Sequence, residues 1–319
     1  MDDSPIQTAL CLIGHPIGGN PAQFVVARAL ASLGLDWQFL SFDVQADRID
    51  EAIAGIDALG FGGAIIAEPY QRTVASRLES RTQDTVIETA TRPELREVVL
   101  ERARSSTTEP WHDFLCRDQN GNMVPDNLRA TALRQILDSH VESSGHGIQD
   151  CLLVGEPAKW GDMVTSCLPA LPLARFVFDG TRIMSWVPLP PSNAAVPSDG
   201  ADGGQSTLET ETTPSPELPK PMLVIWLVRS AGSPSRRGAA RSLGFNADVD
   251  FVTETLGGLH PASLCLDIGG SAAEWLSAIP IVNHCEWEVR RLAIAIERLT
   301  SRTPNLDAMR EAIEEYLAI

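Results

Sequence analysis

The sequence predicts a two-domain α/β protein: an N-terminal α/β domain with a parallel-core sheet, then a second α/β domain. Three observations predict it. Short apolar runs alternate with amphipathic stretches of helical length from Thr8 onward, and that βαβ order requires a parallel sheet with right-handed crossovers. The run Gly62-Gly63-Ala64-Ile65-Ile66-Ala67-Glu68-Pro69-Tyr70-Gln71 opens on paired glycines and stops at a proline. It reads as a short buried strand that delivers its last residues to the sheet's carboxyl edge, where ligands of open α/β sheets sit. Finally, 319 residues with 44% hydrophobic content suffice for two cores.

Taken in order, Thr8 to Ile13 reads as the first strand. A turn over Gly14 to Gly19 and a helix over about 21–33 follow, with Phe24, Val25, Ala29 and Leu30 apolar. Trp37 to Phe42 is the second strand, and Ile49, Ile53, Ile56 and Leu59 lie at helical spacing before the strand that ends in Gln71. Residues 71–106 read as polar helices. Asp113 to Cys116 and Met123-Val124 flank Asp118-Gln119-Asn120-Gly121, whose Asn-Gly is a hairpin signal. A helix from about Asp126 to Ser139 leads to strands at Cys151 to Val154 and Arg175 to Phe178. Residues 188–221 are rich in Pro, Ser, Gly, Thr and acids and cannot offset their ordering entropy, so they read as a disordered insertion. Strands at Met222 to Val228, Ser263 to Ile268 and Ile279 to Val282 follow, and helices at Glu286 to Leu299 and Asn305 to Leu317 close the chain. The expected domains are 1–125, closed by 286–319, and 126–285.

A net charge of −17 and a pI near 4.7 oppose nucleic acid or an anionic membrane as partner, because both would repel this surface. A small soluble ligand or another protein remains, with monomer and homodimer both open. No basic stretch precedes an apolar core at Met1-Asp2-Asp3-Ser4-Pro5, and no apolar run reaches roughly eighteen residues, so a cytoplasmic protein is expected. The six cysteines (Cys11, Cys116, Cys151, Cys167, Cys265, Cys285) form no Cys-x-x-Cys pair and read as buried free thiols; no metal is expected.

The strand ending in Gln71, with Gly14-His15-Pro16-Ile17-Gly18 upstream, resembles the substrate-domain signature of the shikimate dehydrogenase family. In that family the strand ends in a pattern of the type Asn-Val-Thr-x-Pro-x-Lys, whose lysine is catalytic. Here Ile65, Ala67 and Gln71 take the Asn, Thr and Lys positions. The only lysines of the chain are Lys159 and Lys220, so no realignment supplies the missing amine. The lysine's aspartate partner belongs to an Asn-Thr-Asp-Gly pattern. This chain has Asn127-Leu128-Arg129-Ala130, which replaces an acid by a cation able to grip a carboxylate bidentately. The Ser-x-Ser that holds the substrate carboxylate is replaced over Gly19 to Gln23, where Asn20 and Gln23 are the side chains able to hydrogen-bond. Asn20 before Pro21 also reads as a plain helix cap. Asp113 falls where the family has a substrate-contacting Asn, and Arg290 or Arg291 where it has a Gln.

The resemblance implies a Rossmann-like doubly wound second domain, opening at Cys151 to Val154, and NADP as its cofactor. Gly155-Glu156-Pro157-Ala158 keeps only the first glycine of a dinucleotide turn, while Pro157 removes an N–H and Glu156 places an acid beside the phosphates. Lys159, Thr181 and Arg182 are the remaining candidate cofactor contacts. Three functions stay open. The first is a shikimate dehydrogenase-like binder or regulator of a small hydroxylated carboxylic acid, catalytically impaired, with Asn20, Gln23, Gln71, Asp113, Asn127, Arg129 and Arg291 as ligand residues. The second is an active oxidoreductase with another acid/base such as Asp113, His15 or Tyr70. The third is an interaction scaffold using the acidic insertion.

Overall fold

The computed structural model describes residues 8–68, 70–71, 73–74, 111–154, 173–178, 183–188, 220–227, 259–270, 272–274 and 276–318; segments 173–178 and 183–188 are described as backbone alone. Two compact units form, one from residues 1–136 with 285–319 and one from 137–284. The first unit thus reaches past residue 125 into the helix that follows.

In the first unit, β1 (Ala9–Gly14), β2 (Gln38–Asp43) and β3 (Gly63–Ile66) pair in parallel, while β4 (Phe114–Arg117) and β5 (Met123–Asp126) extend the sheet antiparallel, in the order β2-β1-β3-β4-β5. β1 and β3 are apolar at almost every position because both sheet faces are covered. Helix α1 (Ala22–Ser32) supplies Val26, which meets Leu10, Ile65 and Phe114 around a small apolar cavity. Helix α2 (Ile49–Ala58) buries Ile49, Ile53 and Ile56 against Cys11, Ile13, Ala64 and Ile66. Leu59, expected on that stripe, instead follows the helix end and is 78% exposed, because the chain turns away there through Gly60 at φ +73°. Gly63 admits no side chain: a Cβ would lie 2.8 Å from both the Leu115 carbonyl oxygen and Leu299 Cδ2.

The β4–β5 hairpin turns at Gly121, φ +82°, with Asp118 Oδ1 accepting from the Asn120 and Asn122 amides. Arg117 anchors it. Its Nε donates to the Phe61 carbonyl (2.8 Å), Nη2 to the Asp57 carbonyl (2.7 Å), and Nη1 to Asp57 Oδ1 (3.0 Å) and the Gly121 carbonyl (2.5 Å). Arg117→Ala is therefore expected to lower stability by about 1–3 kcal/mol, since three carbonyls lose their donor. Urea unfolding tests this, and an unchanged midpoint would show that water replaces the guanidinium without loss.

Helix α3 (Leu128–Ser144) starts two residues later than the sequence suggests, because Asp126 still pairs with Phe114 in the hairpin. The closing helices are α4 (His284–Thr300) and α5 (Leu306–Ala318). α4 buries Trp287, Val289, Leu292 and Ile296. α5 lies along α1, with Arg28 bonded to Glu315 and Phe24 packed on Tyr316.

In the second unit β6 (Asp150–Val154), β7 (Leu173–Phe178), β8 (Ile183–Pro188), β9 (Met222–Trp226), β10 (Leu264–Asp267) and β11 (Ile281–Asn283) form a sheet of order β11-β10-β9-β6-β7-β8. All neighbours are parallel except β7 and β8. This is a doubly wound order whose switch point lies between β6 and β9. β8 was not expected from the sequence. It is an antiparallel edge strand ending at Pro188, a residue that sheets accept at edge-strand positions. The rest of the expected insertion before Lys220, and the polar helices expected after Val74 and before Trp111, lie outside the described residues. No helix among the described residues is long and apolar enough to cross a membrane.

Candidate functional site

β3 ends at Ile66, and the chain turns over its carboxyl end with the Tyr70 amide bonded to the Ala67 carbonyl. Gln71 is buried there, and both ends of its carboxamide are engaged. Nε2 donates to the Ile66 carbonyl (3.0 Å), and Oε1 accepts from Arg129 Nη1 (2.9 Å). The two positions that the resemblance pairs as lysine and aspartate therefore meet directly, as an amide and a guanidinium.

Arg129, in the first turn of α3, has further partners. Its Nη1 donates to Glu68 Oε1 (2.8 Å), and its Nε lies 3.8 Å from Asp113 Oδ2. Asp113 immediately precedes β4 and is buried. Its Oδ1 accepts from the Leu128 amide (2.7 Å), closing the start of α3, while Oδ2 lies 3.4 Å from Arg291 Nη1 on α4. Arg291 also donates from Nε and Nη2 to Glu288 Oε2, at 3.1 and 2.7 Å. Burial works against the Arg291 charge, but the Glu288 and Asp113 carboxylates outweigh it and hold the guanidinium above its ordinary pKa. The result is one continuous network, Glu68–Arg129–Asp113–Arg291–Glu288, with Gln71 docked on Arg129.

The remaining sequence candidates fall around it or elsewhere. Asn127 caps α3, its Oδ1 accepting from the Ala130 amide (2.9 Å). Asn20 Oδ1 accepts from the Ala22 amide (2.9 Å) at the start of α1, and Gln23 is exposed. Arg290 pairs with Glu286, away from Asp113. Gly155, Lys159, Thr181 and Arg182, the candidate NADP contacts, lie outside the described residues.

Of the three alternative acid/base groups, Asp113 is sealed between two guanidiniums and an amide. Tyr70 is buried, and burial together with the Asp43 and Asp47 carboxylates raises its phenol above the ordinary range. His15 is partly exposed at the end of β1, and its Nδ1 lies 2.9 Å from Asp43 Oδ1, which also accepts from the Ile17 amide. Cys11, Cys116, Cys151, Cys265 and Cys285 are free thiols, and burial pushes Cys11 up to about 12. Among the described residues no cluster of His, Cys, Asp and Glu could hold a metal ion.

Sequence reasoning missed three members of this region. Glu68 carried a signal in its place on the strand end, and Glu288 in its spacing of three before Arg291. His112 carried none; its Nδ1 is buried without a hydrogen-bond partner, and burial lowers its pKa against the opposing pull of Asp113 and Asp126.

Comparison with known proteins bears on the same region. Residues 12–90 match the family model of the shikimate dehydrogenase substrate binding domain. The NADP(+) shikimate dehydrogenase of Anaeromyxobacter dehalogenans strain 2CP-C is 35% identical over 65 residues, 20% of this chain and 23% of that one. The corresponding protein of Anaeromyxobacter sp. strain Fw109-5 is 29% identical over 103 residues, 32% of this chain and 33% of that one. The matched stretch thus spans only about a quarter to a third of those relatives. A crystal structure of a shikimate dehydrogenase in complex with NADP+ matches with TM-score 0.57 at 13% identity, covering 97% of this chain and 95% of that one. Quinate dehydrogenase from Corynebacterium glutamicum in complex with NAD matches with TM-score 0.56 at 13% identity, covering 97% and 99%. At such identities the structural matches establish the shared fold.

Proposed function

We propose, from the premise that the chain belongs to the shikimate dehydrogenase family, that it binds a small polyhydroxylated ligand and does not run the family's hydride transfer at an ordinary rate. The observation that carries this reading is the double engagement of Gln71. Oxidising a secondary alcohol requires a group that takes the hydroxyl proton, and a positioned acid/base contributes roughly 10²- to 10⁴-fold. A carboxamide does not titrate, and this one already donates to Ile66 and accepts from Arg129. The Arg129 guanidinium stays protonated and takes no proton either.

NADP enters by resemblance, since a matched shikimate dehydrogenase structure contains it. The switch point between β6 and β9 is where a doubly wound sheet would receive it, where it would act as the hydride carrier.

The test is nicotinamide absorbance with shikimate and NADP, alongside thermal shift with each compound. The expected rate is no more than about 10⁻² per second. A rate of order 10 per second, typical of enzymes, would overturn the reading. Stabilisation by shikimate-class ligands, about 2.7 kcal/mol at a hundred times the dissociation constant, would support binding.

A second reading rests on the His15–Asp43 pair. With Asp43 holding Nδ1, the opposite ring nitrogen would be free to act as a base at the same sheet edge. It requires turnover that His15→Gln abolishes.

A further inference from the structure

We propose that the ligand of this site is uncharged, a polyhydroxylated compound without a carboxylate; this rests on the binding reading above and specifies its substrate class. Two independent observations carry it. The first is charge. The network holds two guanidiniums, Arg129 and Arg291, against three carboxylates, Glu68, Asp113 and Glu288, for a sum of −1. Neither cation is held in reserve, since Arg129 donates to Glu68 and Gln71 and Arg291 donates to Glu288 and Asp113. An incoming carboxylate would have to displace Asp113 or Glu288, 3% and 16% exposed, from Arg291 and leave a nearly buried acid without its counter-charge, or share Arg129 with the like charge of Glu68.

The second observation concerns the clamp. The stretch where the family resemblance expects a hydroxyl pair to hold a carboxylate presents Asn20, whose Oδ1 is spent on the Ala22 amide, and Gln23, which is exposed. At the start of α1 the Ala22 amide is already bonded to Asn20, and at the start of α3 the Leu128 and Ala130 amides are bonded to Asp113 and Asn127, which leaves fewer amides for an anion. What the site offers is suited to hydroxyls. Glu68 is 43% exposed and accepts from alcohols as readily as from Arg129, while the Asn20 amide group remains a donor. A polyol satisfies these groups without adding charge.

The test compares two probes that differ in charge and by one methyl group, shikimate and its methyl ester, by isothermal titration of the full chain at low and high salt. The ester is expected to bind at least about tenfold more tightly than the acid, a like-charge penalty between partly solvated groups, with the gap narrowing as salt rises. Glu68→Gln removes one of the like charges, so the ratio of ester to acid affinity should fall about tenfold relative to the parent. If the acid binds as tightly as the ester or more so, the uncharged-ligand proposal fails while the binding reading stands. If neither probe binds, the binding reading fails and takes the proposal with it.

Discussion

Asp113→Ala is expected to cost about 3–5 kcal/mol of folding stability, the largest loss of any single change to the polar network. The side chain does three things at once. It accepts the Leu128 amide at 2.7 Å, and it faces Arg291 at 3.4 Å and Arg129 at 3.8 Å, where both guanidiniums are almost fully buried. Truncation leaves an uncapped helix start and removes the acid shared by two buried cations, which cannot simply deprotonate. Asp113→Asn keeps an acceptor for Leu128 but loses the charge, so it should fall between Ala and the parent. Guanidinium chloride unfolding of the three proteins measures the series. A loss below about 1 kcal/mol for Asp113→Ala would mean that water reaches the arginines and the network is not sealed.

The second large effect is a gain. Gln71→Lys combined with Arg129→Asp and Asp113→Asn is expected to raise NADP-dependent oxidation of shikimate by about 10²- to 10⁴-fold over the parent. The triple substitution is chosen for its charge. Gln71→Lys with Arg129→Asp alone would add a cation at one position and turn a cation into an acid at the other, leaving Asp113 beside a second carboxylate. Neutralising Asp113 brings the cluster back to its original sum. Gln71→Lys alone would set an ammonium against Arg129, which now sits 2.9 Å from the Gln71 oxygen, and should lower stability without adding activity. NADP binding is followed in parallel by thermal shift. A triple variant that binds NADP yet turns over no faster than the parent would show that residues 71 and 129 are not the relay positions.

The first sheet was legible because its signals are local. β1, α1, β2, α2 and β3 follow from apolar runs and helical spacing, and a central parallel strand buries both faces, so its sequence is apolar throughout. Leu59 shows the limit of spacing alone: it continues the stripe of Ile49, Ile53 and Ile56, but the helix ends before it. β8 was hidden because an edge strand needs only one paired side, and Pro188 beside a polar stretch reads as the start of a loop. In the site, resemblance pairs positions 71 and 129, and the fold bonds the Gln71 and Arg129 side chains to each other. Resemblance could not show what each is bonded to. Arg129 reads from sequence as a cation available to a ligand, but Glu68 and Asp113 arrive from a strand end and a loop distant in the chain, and only folding reveals that they neutralise it. Asp113 likewise reads as a ligand contact, and its bonds to the Leu128 amide and to Arg291 were not legible in the sequence.

The short bond from the Leu128 amide to Asp113 has a practical consequence. That proton points at a carboxylate whose other oxygen answers to two arginines, so its magnetic resonance position and its exchange with heavy water register any rearrangement among them. A single backbone signal can thus serve as a spectroscopic gauge of occupancy, readable without labelling the ligand or waiting for turnover.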